Sequence, residues 1–67
     1  MIKVIEKALN ILELLAGEQN REIGLGEIAD TLGFDRGTCS NIIKTLVARG
    51  YVQQEGPRRG YRFGYMP

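Results

Sequence analysis

The sequence predicts a mainly α domain closed by a small β-hairpin, three helices followed by two short strands. Three observations predict it. Apolar residues recur at 3.6-residue spacing in three separate stretches before Gly50. Gly17, Gly33 and Gly50 stand at the ends of those stretches, where a left-handed residue stops a helix at little steric cost. After Gly50 the period drops from 3.6 to 2, around a Gly-Pro-Arg-Arg turn.

The first helix is expected over 4–16. Its apolar stripe is Ile5, Ala8, Leu9, Leu12, Leu15 and Ala16, with Lys7, Asn10 and Glu13 off the stripe and Gly17 as the stop. Residues 18–22 are wholly polar and form a loop. A second, shorter helix spans 25–32, with Leu25, Ile28, Ala29 and Leu32 on one face. Gly24 serves as its N-cap, and Glu27 is half of a capping box. Only Gly33 and Phe34 separate it from Asp35, whose short carboxylate suits both an N-cap and the positive end of a helix dipole. The third helix runs over 36–49, with Cys39, Ile42, Ile43, Leu46 and Val47 inward. Arg36, Gly37, Ser40, Asn41 and Lys44 lie on the opposite face, and Thr38 and Thr45 nearer its edges. None of these is acidic.

Residues 51–55 and 60–64 are the strands, and Arg58 and Arg59 crown the turn between them. A two-stranded hairpin is marginal alone, so Val52 and Phe63 are expected to pack back onto the helices. Ile23 is a candidate for a third short strand. Two helices across a glycine-containing turn form a helix-turn-helix, over about 25–49, and the hairpin at about 51–64 makes it winged. The whole chain, 1–67, reads as one winged helix-turn-helix domain.

Composition narrows the function. A chain of 67 residues buries only about 60% of the surface it exposes unfolded, which suits one core without a deep substrate cavity. There is no histidine, which removes Ser-His-Asp and Cys-His catalysis and His-assisted zinc sites together. Cys39 is the one cysteine, so no internal disulfide forms, as suits a reducing cytoplasm. It lies on the apolar stripe and is expected to be a small buried hydrophobe rather than a nucleophile. Gly24 to Ala29 spell the G-x-G-x-x-A pattern of dinucleotide-binding turns. The hydrophobic strand that must precede it is missing, and Lys44 stands where a ribose-binding acid belongs. No enzyme activity, cofactor, metal site or membrane segment is expected.

Charge points elsewhere. Net charge is +1, but residues 1–35 carry three basic against seven acidic groups, and residues 36–67 six basic against Glu55 alone. That asymmetry predicts one electropositive surface. A helix of about 14 residues is roughly 21 Å long and fits the major groove. The expected DNA-binding residues are Arg36, Gly37, Thr38, Ser40, Asn41, Lys44 and Thr45 on the third helix, with Arg58, Arg59 and Arg62 on the wing. The helix residues can bond base edges or phosphates. Gly37 leaves helix N–H groups open to phosphate. The wing arginines suit the backbone or minor groove. The alternative is a winged helix that docks a protein partner without touching DNA.

The sequence resembles the N-terminal domain of IclR-type (isocitrate lyase regulator-like) transcriptional regulators. The resemblance runs from about Val4 to Gly64. It is carried by EKALNILELL from Glu6, LGEIADTLGF from Leu25, Thr38, TLVARGYV from Thr45, and GYRFG from Gly60. It implies a winged helix-turn-helix that binds palindromic operators on double-stranded DNA as part of a homodimer in the cytoplasm. It also implies a small-molecule effector held by a second domain, which this chain does not include. Two departures bear on which operator is read rather than on the fold. The family usually has Ser or Thr where Gly37 stands, and often Arg where Asn41 stands.

Overall fold

A computed structural model describes residues 2–19, 21–54, 56 and 60–64. Helix α1 spans Lys3–Gly17, α2 Leu25–Leu32 and α3 Arg36–Ala48. Strands β1 (Val52–Gln54) and β2 (Tyr61–Phe63) pair antiparallel, with Val52 opposite Phe63, Gln53 opposite Arg62 and Gln54 opposite Tyr61. This is the three-helix, two-strand architecture the sequence predicts. Among the described residues no helix is long and apolar enough to cross a membrane.

The helix ends follow local chemistry. Gly33 adopts φ 73°, and its N–H and that of Phe34 both donate to the Ala29 carbonyl, closing α2. Gly50, at φ 86°, turns the chain out of α3 into β1. Gly17 behaves otherwise than expected. It is the last helical residue of α1, and the chain leaves through Glu18, whose N–H reaches the Leu15 carbonyl. The capping box at α2 does not form either. The Glu27 carboxylate takes the Arg21 guanidinium in a two-bonded pair instead, at 3.2 and 2.6 Å. This pair holds Glu27 below the usual carboxylate range and raises Arg21.

Each element contributes to one core. Ile11 and Leu15 come from α1, Ile28 and Ala29 from α2, Cys39, Ile43 and Leu46 from α3, and Ile23 and Val52 from the chain around the hairpin. Phe63 is half-buried against it. Cys39 is fully buried, and burial pushes its thiol upward in pKa, away from the reactive thiolate.

The buried face of α1 is only partly the one expected from periodicity: Leu15 is buried and Leu12 packs on the core, but the rest of the stripe shifts. Ile5 and Leu9 are 55% and 50% exposed, whereas Ile11 is fully buried. The stripe is turned by roughly one residue step about the helix axis. Apolar residues cover more than half the circumference of α1, so periodicity alone admits both faces. Packing against α3, β2 and α2 selects the one centred on Ile11 and Leu15.

Ile23 does join the hairpin, as a single bridge rather than a strand. Its N–H and C=O exchange two hydrogen bonds of 2.8 Å with Tyr61. Gly60 makes this approach possible, because a Cβ there would stand 2.9 to 3.0 Å from the Glu22 Cβ and the Ile23 backbone. The wing is thereby stitched to the segment entering α2.

Candidate nucleic-acid interface

The α2–turn–α3 unit is set by two caps. Gly33 ends α2 in the left-handed region. Asp35 opens α3, its Oδ2 accepting from the Thr38 N–H at 2.9 Å and the Thr38 hydroxyl at 3.0 Å. Those bonds, with the Lys7 charge nearby as a smaller contribution, hold the Asp35 carboxyl below its ordinary range. Lys7 of α1 also sits over the Phe34 ring, 5.4 Å from its centroid, pinning the turn from the other side. The start of α3 is therefore braced by α1 and by its own cap.

On α3, Gly37, Asn41, Lys44 and Thr45 are exposed along one side. The helix carries no carboxylate, so this side meets a polyanion without repulsion. Thr38 and Ser40 are half-buried. The Thr38 hydroxyl is engaged at the cap, and the Thr45 hydroxyl donates to the Asn41 carbonyl at 3.2 Å. Both threonines thus enter with a donor already committed. Their remaining lone pairs can still accept.

Arg36 stands apart from this row. Seven residues before Ile43, it shares the azimuth of that core residue to within about 20°. Its side chain leaves α3 toward α2, where the guanidinium lies across Gly26: its Nη2, Cζ and Nε lie 3.0, 3.3 and 3.8 Å from where a Cβ at Gly26 would be. Nothing in the spacing of the sequence signals this contact, because it joins two helices across the turn.

Arg62 is half-buried on β2, opposite Gln53 and on the reverse side from Val52. Its Nε is shielded and has no hydrogen-bond partner among the described residues. Arg58 and Arg59, the expected tip of the wing, lie outside the described residues. Among the described residues no cluster of three His, Cys, Asp or Glu could hold a metal ion.

The chain is similar to several proteins named as regulators. The family described as the IclR helix-turn-helix domain matches residues 4–56. The glycerol operon regulatory protein of Streptomyces griseus is 43% identical over 63 residues, which cover 94% of this chain and 24% of that protein. The transcriptional regulator XynR of Escherichia coli is 34% identical over 64 residues, 96% of this chain and 25% of that protein. A crystal structure of an IclR transcriptional regulator from Alicyclobacillus acidocaldarius superposes with a TM-score of 0.88 at 29% identity, covering 97% of this chain and 26% of that one. The chain spans about a quarter of the length of the curated relatives it matches.

Proposed function

The chain belongs to the IclR helix-turn-helix family, the non-enzymatic DNA-binding domains of transcriptional regulators, and from that premise we propose that it reads palindromic operators in the cytoplasm, two copies to a site. In this reading α3 enters the major groove and the wing follows the backbone or the minor groove. The observation that carries it is the exposed, carboxylate-free side of α3 with Gly37, Asn41 and Lys44 in a row. Lys44 supplies charge, and Asn41 supplies the paired donor and acceptor that match adenine. Arg58, Arg59 and Arg62 supply phosphate contacts from the wing. An effector response belongs to a further domain of a longer regulator.

Pairing of two copies is supported by α1. Ile2, Val4, Ile5 and Leu9 are exposed apolar residues on and beside this helix. Val4 and Ala8 border a mostly apolar cleft of about 300 Å³ whose α3 wall is Asn41, Ile42, Thr45 and Leu46, so this surface adjoins the DNA-facing row. A surface of this kind on a small domain suits a symmetric helix contact, weak in free solution and reinforced on paired half-sites.

The test is selection of bound sequences from a random duplex pool, followed by titrations over a range of salt. A palindromic consensus and a log–log salt slope of about −0.9 per phosphate contact support the reading. Affinity for no duplex, together with salt-insensitive capture of a protein, would favour the docking alternative.

A further inference from the structure

We propose that Gly26 is a positioning residue for Arg36, and that Arg36, held there, grips a DNA phosphate at the edge of the groove rather than a base within it. The inference rests on the DNA-binding reading above and assigns a role to one residue that reading leaves out.

Three observations lead to it. First, the guanidinium lies flat on the first turn of α2, and only the missing side chain at Gly26 makes room for it. Any Cβ there would crowd the Nη2 atom at 3.0 Å, and the side chain, not the backbone, would give way. Second, Arg36 departs from α3 on the side of Ile43, away from the row of Gly37, Asn41 and Lys44. A cation at that azimuth stands on the border between α2 and α3, where a groove-bound helix meets the sugar–phosphate wall. Third, the acid beside the notch is already taken. Glu27 is bonded twice to Arg21, which also holds Glu18, and Arg36 forms no ion pair among the described residues, with Asp30 one turn on from Gly26 included. Its charge is left for a partner from outside.

A glycine in the first turn of a helix is otherwise unfavourable. Alanine or glutamine there would be the better helix former by propensity alone. Filling the notch should therefore raise stability while lowering DNA affinity, opposite directions that a merely structural residue would not produce.

The experiment is a double-mutant cycle with Gly26→Gln, Arg36→Ala and their combination. Gly26→Ala serves as the milder variant should Gly26→Gln disturb folding. Binding is titrated on the selected duplex and on a random duplex of equal length, at several salt concentrations. Arg36→Ala should weaken both duplexes by the same factor, roughly 3- to 10-fold, and flatten the log–log slope by up to about 0.9. Gly26→Gln should lose affinity similarly with Arg36 present and nothing further with Arg36→Ala, at a melting midpoint equal to or above that of the parent. In the free protein, a nuclear Overhauser contact between the Arg36 side-chain N–H and the Gly26 α-protons should be present, which tests the notch without DNA. Losses that multiply independently, or an Arg36→Ala loss confined to the selected duplex, would overturn the proposal. An intact Overhauser contact in a protein that binds no duplex would sink the DNA-binding reading and the phosphate role with it, leaving the notch itself standing.

Discussion

Replacing Ile11 and Leu9 separately by alanine compares two positions on one helix, two residues apart, with opposite surroundings. Ile11 is fully buried, and Leu9 is 50% exposed. Ile11→Ala removes three buried carbons at about 0.8 kcal/mol each, roughly 2.4 kcal/mol of transfer. The cavity left between α1 and its neighbours raises the loss to about 3–4 kcal/mol. Leu9→Ala removes three carbons already half in water, about 1.2 kcal/mol, of which alanine's higher helix propensity returns a few tenths. A small domain shifts its melting midpoint by about 4–8 °C per kcal/mol. Ile11→Ala should therefore fall by at least about 12 °C, and Leu9→Ala by less than about 8 °C. At about 0.05–0.15 kcal/mol per residue, a domain this size has only about 3–10 kcal/mol in total, so Ile11→Ala is close to unfolding it. The assay is thermal melting by circular dichroism over a dilution series, because Leu9 lies on the face proposed to pair two copies. Equal losses for the two variants, at a dilution where the parent midpoint no longer changes, would refute this assignment of the α1 face.

Other outcomes follow from the same geometry. Gly60→Ala should cost about 1–3 kcal/mol, since its Cβ meets backbone that cannot swing aside, and hydrogen exchange should show Ile23 and Tyr61 losing protection first. Asp35 has a lowered carboxyl, so its contribution is present above the unfolded value near pH 4 and is lost as the pH falls through the lower folded value. Acid titration of Asp35→Ala against the parent should show a stability gap at neutral pH that closes below about pH 4. Asn41→Ala should cost roughly 1–3 kcal/mol on the selected duplex and little on random DNA. Replacing both Arg58 and Arg59 by alanine should instead weaken the two duplexes about equally and flatten the salt slope, as titrations on both will show.

Much of the molecule follows from short-range rules. The three helices, the stops at Gly33 and Gly50, the Asp35 cap and the switch to a period of two are decided by residues within a turn of one another, so they are legible in the chain itself. The carboxylate-free side of α3 belongs to the same class, because a helix fixes azimuth by spacing alone. Other features depend on what an element meets, and there local pattern has no vote. Helix α1 is apolar on more than half its surface, and only contact with α3, β2 and α2 places Ile11 inside and leaves Leu9 out. The capping box expected at Gly24 and Glu27 gives way to Arg21, a neighbour from the preceding loop. The bridge from Ile23 to Tyr61 joins residues far apart in sequence, through a gap that only Gly60 leaves open. The direction of Arg36 is the sharpest case. Its residue type marks it as a DNA contact, but where its charge stands is decided by the missing side chain of Gly26 on another helix, since a long flexible side chain settles where its neighbours leave room.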